Sequence, residues 1–227
     1  MPETKSLFNR VAEHYDLLNT IFSLGMDRSW RKRLAEEVRN SRFVLDIATG
    51  TAEVAIEVMN RCNGCYVIGL DPSEEMLELG RKKLKSLGIN GEIALVKGVA
   101  ENLPFEDGSF DAITIAFGIR NTVDPLKSLE EMKRVLKPGG IAGILEFAVP
   151  QNKLFGSFYM FYLQNILPFI GSLFGRKEEY KYLGDSTSKF PQRDSFTSLM
   201  KQARFKVEKP VELTMGTVIL YIGVKDL

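Results

Sequence analysis

The stretch VLDIATGTAEVA at residues 44–55 decides the fold. It begins as an apolar run, passes Asp46, turns at Gly50 and continues into a helical pattern. A strand that leads through a tight glycine turn into a helix is typical of open α/β sheets, which bind ligands at the carboxyl ends of their strands. A dinucleotide-binding turn has the pattern GxGxxG, whereas Ala48 and Ala52 flank the single glycine here. The turn therefore does not clearly provide for the close approach of a pyrophosphate.

Apolar or β-branched runs alternate with helical patterns up to about residue 150. The strands predicted from these runs are 43–47, 66–71, 92–97, 110–117 and 141–147. The helices predicted between them are about 51–61, 73–87 and 125–136, and the motif LKPGG ends the last of these. This order predicts a mostly parallel sheet that is covered by helices on both faces.

The end of the chain has a different pattern. A helix is predicted at about 192–203, and the runs FKVEKPVEL and TVILYIGV after it predict an antiparallel hairpin at the edge of the sheet. The chain contains no internal repeat and no linker long enough to divide it, so residues 1–227 are expected to form a single domain.

Composition excludes several classes of protein. The 227 residues are 44% hydrophobic and carry a formal net charge of +1, so neither disorder nor a nucleic-acid partner is expected. The N-terminus MPETKSLFNRVAEHYD resembles neither a secretory signal nor a transit peptide, which predicts a cytoplasmic protein. Cys62 and Cys65 have no second pair to complete a zinc site, so no metal is predicted.

Charge near the glycine turn indicates the kind of ligand. Asp46 ends the first strand and Glu53 lies in the first turn of the following helix. Two carboxylates at a helix N-terminus oppose an anionic phosphate and favour a cation. S-adenosylmethionine carries a sulfonium and an amino group, so the residues around Gly50 predict a methyl-donor site.

Other parts of the predicted donor site follow the next two strands. Asp71 ends the second strand, where a carboxylate can accept hydrogen bonds from both ribose hydroxyls. Met76 can lie against the adenine, and the backbone at Val99 and Ala100 can contact the adenine edge. Asp71-Pro72-Ser73 is also a good helix N-cap sequence, so a purely structural role for Asp71 stays open.

Several motifs together closely resemble the ubiquinone/menaquinone-biosynthesis C-methyltransferases. They are FNRVAEHYDLLNTIFSLG (8–25), the glycine turn, AENLPFEDGSFDAITIAFGIRN (100–121), RVLKPGG (134–140) and YKYLGDSTSKFP (180–191). The resemblance covers almost the whole chain. It implies a class I methyltransferase Rossmann-like α/β fold with a seven-stranded, mostly parallel sheet, an antiparallel C-terminal hairpin and a helical lid. It also implies S-adenosylmethionine as donor, S-adenosylhomocysteine as product and a lipophilic polyprenyl quinol as acceptor.

The same resemblance implies individual contacts. It places Thr51, Asp71 and the Val99–Ala100 pair against the cofactor, with Ala116 near it at the end of the fourth strand. The chain departs from the family pattern at three positions: many members have glycine, histidine and serine where this chain has Ala52, Asp27 and Ala148.

The chemistry of a quinol predicts the acceptor site. A quinone ring carbon is electrophilic, so the reduced quinol should be the acceptor, and loss of a hydroxyl proton makes its ring carbon nucleophilic. Arg120 can stabilise the phenolate, Asn121 can orient a hydroxyl or a water, and Tyr15 or a water can carry the proton. Structural alternatives are an Arg120–Asp124 pair, a helix cap at Asn121 and a core position for Tyr15.

The uncharged stretch LFGSFYMFYLQNILPFIGSLF occupies residues 154–174. We predict a helix broken near Pro168, within an apolar helical insertion at 150–190 that lies over the acceptor site beside an N-terminal helical lid at 1–40. A membrane span and a buried core helix are the alternatives. Outward-facing aromatics, Phe158, Phe161 and Phe169, would then contact the isoprenoid tail or the membrane.

The sequence therefore predicts C-methylation of demethylmenaquinol to menaquinol. A methoxylated polyprenyl benzoquinol, another lipophilic acceptor, and a non-catalytic S-adenosylmethionine-binding scaffold stay open at this stage. Peripheral contact with the inner face of the membrane and a homodimer are also left open.

Overall fold

A computed structural model describes residues 20, 23, 25–173 and 177–227. One sheet runs through these residues. Its strands are β1 (Phe43–Ile47), β2 (Tyr66–Asp71), β3 (Ile93–Lys97), β4 (Phe110–Ala116), β5 (Leu136–Phe147), β6 (Lys206–Val207), β7 (Val211–Leu213) and β8 (Val218–Val224). Strands β1 and β2 have the boundaries that the sequence predicts.

The strand order is β3-β2-β1-β4-β5-β8-β6. Strands β1 to β5 pair in parallel, and β8 runs antiparallel to β5 from Ile141↔Val224 to Phe147↔Val218. The short strands β6 and β7 both pair with β8, on the edge that β5 leaves free. The described sheet is therefore seven positions wide with an antiparallel C-terminal end, which confirms the predicted fold class.

Helices cover both faces of the sheet. They are α1 (Met26–Glu37), α2 (Glu53–Arg61), α3 (Glu74–Ser86), α4 (Pro125–Val135), α5 (Lys153–Phe161), α6 (Leu167–Leu173), α7 (Lys177–Lys189) and α8 (Asp194–Gln202). Neighbouring β1 residues point to opposite faces: Val44 joins the core under α1, α2 and α3, whereas Leu45 joins the core under α4 and α8. Burial on both faces explains why these strands are almost continuously apolar.

The LKPGG motif is organised differently from the prediction. Helix α4 ends at Val135, and Leu136 already pairs with Phe110 before the regular ladder resumes at Ala112↔Ile141. The residues between form an irregularity in which Gly139 has φ 76°. The motif thus ends the helix as predicted, but it forms a bulged start of β5 rather than a loop.

The apolar stretch continues as a helix where a break was predicted. Between α5 and α6, residues Tyr162–Ile166 form a π-turn, in which the Leu167 N–H donates to the Tyr162 carbonyl. Pro168 lies in the first turn of α6 and lacks an N–H, and the wider turn before it accommodates that loss without ending the helix. Among the described residues, no helix is long and apolar enough to cross a membrane.

Helix α1 packs on the sheet. Trp30 and Leu34 are buried in the core beneath it, and a Cβ added at Gly143 of β5 would lie 2.6 Å from Leu34. Trp30 also reaches the carboxyl ends of β4 and β5, where its ring lies 6.0 Å from Phe117 and 6.2 Å from Phe147. Asp27 is buried too: it pairs with Arg31, and the Ser23 hydroxyl donates to it at 2.9 Å. The helical lid at 1–40 stays a prediction, and residues 1–19, which include Tyr15, lie outside the described residues.

Candidate active site

One cavity of about 600 Å³ opens at the carboxyl ends of β1, β2 and β4. This is the place where open parallel sheets bind ligands, and the volume lies in the range of small-molecule sites. The structure brings most of the predicted site residues together there. Those that line the cavity are Gly50, Asp71, Met76, Val99, Ala100, Ala116 and Asn121. Asp46, Thr51 and Arg120 are not part of the lining.

The glycine turn is shaped by left-handed backbone. Ala48, Gly50 and Ala52 have φ of 53°, 55° and 68°. A Cβ added at Gly50 would lie 3.3 Å from the Met76 methyl group, so a side chain there would be both strained and crowded. Ala52 adopts a left-handed conformation that favours glycine, at a cost on the order of 1–2 kcal/mol.

Asp71 links the turn to the second strand. It is 7% exposed, and its two carboxylate oxygens accept the N–H groups of Gly50 and Ser73, each at 2.9 Å. Burial raises the pKa of Asp71, and these two hydrogen bonds oppose the rise. The side chain that caps α3 is that of Ser73, which accepts the Met76 N–H. Each Asp71 oxygen keeps acceptor capacity toward the cavity.

The Asp46 carboxylate is buried and hydrogen-bonded within the protein. It is fully buried and accepts hydrogen bonds from the hydroxyls of Thr49 at 2.6 Å and Thr114 at 2.7 Å. Burial raises the pKa of Asp46 to about 7, although both hydroxyls lower it. Asp46 therefore ties the glycine turn to β4 from behind the cavity wall. The predicted contact of Asp46 with the cofactor has no support in this geometry.

Thr51 also faces away from the cavity. Its hydroxyl accepts a hydrogen bond from Lys83 at 3.1 Å, and the same ammonium pairs with Glu53 at 2.6 Å. Arg31 approaches Glu53 as well, at 3.8 Å. The Glu53 carboxylate is thus already paired with Lys83, so the charge that it offers to a cationic ligand is partly compensated.

The cavity itself still favours a cation. Its charged lining residues are Asp71, Glu101 and Lys97, which together leave an excess of one negative charge. A dinucleotide pyrophosphate would meet two carboxylates and a single ammonium there, so its binding is disfavoured. The preference for a cationic ligand that the sequence predicted therefore holds, but the negative charge of the cavity comes from Asp71 and Glu101.

Helix α4 holds the loop after β3. Glu131 accepts the Leu103 N–H at 2.9 Å, and Arg134 donates to the carbonyls of Leu103 at 3.0 Å and Phe105 at 2.8 Å. Glu131 and Arg134 also pair with each other at 2.8 Å. The loop residues just before Leu103 line the cavity, so this pair fixes the wall where an adenine edge was predicted.

The predicted acceptor residues follow β4. Arg120 pairs with Glu146 at 2.5 Å, donates to the Phe117 carbonyl at 2.7 Å and lies 5.3 Å from the centre of the Phe147 ring. The Arg120 and Glu146 side chains are only 6% and 2% exposed. The alternative partner Asp124 instead caps α4 by accepting the Lys127 N–H at 3.0 Å.

Asn121 reaches the cavity directly. Its Nδ2 donates to the Phe117 carbonyl at 3.3 Å, and its Oδ1 accepts a hydrogen bond from the Tyr182 hydroxyl at 3.0 Å. It does not cap α4, because Asp124 does. Sequence reasoning missed Glu146 and Tyr182. A signal for Glu146 was present: it is the one charged residue in the apolar run IAGILEF.

The strand order, the glycine turn with Asp71 and the cavity above the strand ends define a class I methyltransferase fold. The model of the ubiE/COQ5 methyltransferase family matches residues 2–225, and the chain belongs to this family.

Named relatives extend over nearly the same length. The ubiquinone/menaquinone biosynthesis C-methyltransferase UbiE of Geobacter sp. (strain M21) is 45% identical over 224 residues, covering 97% of this chain and 95% of that protein. The demethylmenaquinone methyltransferase of Chlorobaculum parvum is 39% identical over 228 residues, covering 97% and 92%.

Solved structures support the fold. A SAM-dependent methyltransferase of Thermotoga maritima superposes with a TM-score of 0.68 at 23% identity, covering 97% of this chain and 99% of that chain. A methyltransferase of Haloferax volcanii, solved in complex with the activator Trm112, has a TM-score of 0.69 at 18% identity, covering 97% and 98%.

Proposed function

We propose that this protein transfers a methyl group from S-adenosylmethionine to a ring carbon of a polyprenylated quinol, with demethylmenaquinol as the first candidate. Two findings support the substrate: membership of the ubiE/COQ5 methyltransferase family, and close relatives named for menaquinone and ubiquinone biosynthesis. The observation that carries the proposal is that one cavity extends from Asp71 to Asn121, so a donor and an acceptor can meet within it.

The described residues fit the donor. The two Asp71 oxygens can accept the ribose hydroxyls, and apolar Ile47, Leu70 and Met76 lie along the same cavity. The carboxylate excess favours a sulfonium over a phosphate. When bound, S-adenosylmethionine supplies an electrophilic methyl group and leaves as S-adenosylhomocysteine.

The acceptor end provides orientation and charge stabilisation. Asn121 reaches the cavity and can hold a quinol hydroxyl beside the reacting carbon. The Arg120 guanidinium is too basic to remove a proton, so its role is to stabilise negative charge on the quinol oxygen. Arg120 does not line the cavity, so this stabilisation acts from behind the cavity wall. Tyr15 stays a candidate proton carrier.

The helices α5 to α7 give the quinol tail a place to lie. Helix α7 contacts the cavity residue Asn121 through the Tyr182 hydroxyl, while the outer side of α5 and α6 carries exposed apolar side chains. These are Leu154 (87% exposed), Phe158 (62%), Phe161 (55%) and Phe169 (67%). All four lie within the segment formed by α5 and α6.

Polar residues near this apolar surface bond to the helix itself. Asn165 donates to the Phe161 carbonyl at 3.2 Å, and the Ser172 hydroxyl donates to the Phe169 carbonyl at 2.6 Å. Polar groups satisfied within a helix can enter an apolar environment at lower cost. We propose that this surface rests on the membrane that contains the quinol, as an interfacial helix does.

A turnover assay tests the function. The purified chain is incubated with S-adenosylmethionine and a reduced, prenylated naphthoquinol that lacks the ring methyl group. The molecular mass of the extracted lipid is then measured by mass spectrometry. We expect a gain of one methylene unit with the quinol and none with the oxidised quinone. A methoxylated benzoquinol is tested in parallel. Donor binding without methylation of either quinol would favour a non-catalytic scaffold.

A further inference from the structure

Two contacts support the acceptor end of the cavity, one of them buried and the other partly buried. Glu146, near the end of β5, binds Arg120, and Tyr182, on α7, binds Asn121. Neither Glu146 nor Tyr182 lines the cavity. Glu146 can therefore affect the cavity through Arg120, and Tyr182 can affect it through Asn121.

Glu146 binds more than the guanidinium. Its Oε1 accepts from Arg120 Nη1 at 2.5 Å and from the Phe147 N–H at 2.9 Å, while its Oε2 is 3.4 Å from the Arg120 backbone nitrogen. The carboxylate thus fixes both the side chain and the start of the turn that contains Arg120 and Asn121. It also compensates the Arg120 charge, which would otherwise act in full on any ionised quinol oxygen nearby.

Arg120 and Asn121 share one hydrogen-bond acceptor. Arg120 Nη1 and Asn121 Nδ2 both donate to the carbonyl of Phe117, at 2.7 Å and 3.3 Å. Phe117 lines the cavity and has φ 57°, a left-handed conformation that is unfavourable for an aromatic residue. Its ring stacks on Phe147 with centroids 4.3 Å apart. Strain at this position persists only because the surrounding contacts hold it.

We propose that Glu146 and Tyr182 are positioning residues for the quinol: Glu146 sets the orientation and effective charge of Arg120, and Tyr182 sets the orientation of Asn121. The proposal rests on the proposed function. Because Tyr182 belongs to the helix that follows the exposed apolar surface, it also connects that surface with the reacting end of the cavity.

Tyr182→Phe removes one hydroxyl and keeps the ring. We expect the KM for the quinol to rise, or kcat to fall, by about tenfold, with donor affinity unchanged. Combined with Asn121→Ala, it should add almost nothing, because both changes remove the same constraint. Tyr66→Phe, at the amino end of β2, is the matched control and should behave as wild type.

Glu146→Gln keeps the shape but leaves the Arg120 charge uncompensated. An uncompensated guanidinium favours the ionised quinol, so the rise of kcat with pH should move to lower pH by about one unit. A purely structural Glu146 would lower the rate at every pH and leave the profile in place. An unmoved profile would overturn the assignment for Glu146.

If the wild-type protein methylates no quinol, the proposed function is wrong, whereas unchanged kinetics of Tyr182→Phe in an active enzyme contradict the positioning role. NMR of the Asn121 side-chain amide in nitrogen-labelled protein needs no turnover. Tyr182→Phe should shift this signal and Tyr66→Phe should not, and an unshifted signal would overturn the assignment for Tyr182.

Discussion

At the scale of single residues, two carboxylates at the ends of neighbouring strands have opposite roles. Asp71 faces the cavity and accepts one backbone N–H on each oxygen, whereas Asp46 is sealed between two threonine hydroxyls. The position of a carboxylate at a strand end therefore does not by itself show that it contacts a ligand. The neighbouring hydroxyls decide the role of Asp46.

Asp71→Ala should weaken S-adenosylmethionine binding by at least about tenfold, because hydrogen bonds to a charged acceptor contribute roughly 1.5–3 kcal/mol each. Titration calorimetry measures the affinity. Asp111→Ala is the matched control: Asp111 also accepts two backbone N–H groups, from Arg42 and Phe43, but at the amino end of the strands. Equal donor affinity in the Asp71 variant and wild type would exclude the proposed ribose contact.

Asp46 makes stability depend on pH. Its pKa is about 7 in the folded chain against 3.8 in the unfolded chain, so between these values unfolding releases a proton and the free energy of unfolding falls as pH rises. Asp46→Asn removes this titration. From pH 5 to pH 7 the wild type should lose on the order of 2 kcal/mol more than the variant, at about 1.4 kcal/mol per pH unit. Urea unfolding at both pH values measures the difference, and parallel losses would contradict the raised pKa.

Sequence reasoning succeeded for residues whose role follows from their place on the chain. Gly50 and Asp71 reach the cavity because a strand end and a tight turn leave them there. It did not identify the partner of Arg120, because Glu146 is 26 residues away and was not considered. Side-chain partners across a sheet depend on strand order and register, which a strand pattern alone does not specify.

At the scale of elements, the boundaries that follow from local pattern were predictable. The ends of β1 and β2 coincide with the ends of their apolar runs. The π-turn between α5 and α6 was not predictable, because its residues have ordinary helical character and only Pro168, further along, marks an irregularity. The bulge at the start of β5 depends on pairing with β4, which is a tertiary contact.

The contact of α4 with the loop after β3 should control cofactor affinity. Arg134→Gln removes a charged donor from two loop carbonyls, so amide hydrogen exchange at 99–105 should accelerate and S-adenosylmethionine affinity should fall about tenfold. Arg81→Gln is the control, since among the described residues Arg81 pairs with Glu74 at the surface and with none of the loop carbonyls. Unchanged exchange in the Arg134 variant would mean that the loop is held by other contacts.

At the scale of the whole molecule, the sheet buries its faces under helices, while α5 and α6 expose an apolar surface. The core alternative is wrong for this surface, because Phe158, Phe161 and Phe169 are all more than half exposed. The inner side of the same helices packs on α7 around Leu163 and Tyr180. One side of these helices is exposed and the other is packed on α7. This arrangement explains how residues 154–174 can be uncharged without crossing a membrane.

Phe158→Glu should reduce sedimentation with liposomes and raise the KM of long-tailed quinols more than that of a bare ring, because each buried CH₂ contributes roughly 0.8 kcal/mol. Donor affinity should stay the same. Leu87→Glu, a comparably exposed apolar position after α3, should leave all three quantities unchanged. If tail length has no effect on KM and the wild type never sediments with liposomes, the surface has no role in binding lipid.

The central claim is methyl transfer to a ring carbon, and the most direct test locates the transferred methyl group. The purified protein is given S-adenosylmethionine labelled with carbon-13 in its methyl group together with reduced demethylmenaquinol, and NMR of the extracted product identifies the bonded atom. The account predicts a labelled methyl group attached to the quinone ring carbon. A labelled methyl group on a quinol oxygen, or no label in the lipid, would contradict it.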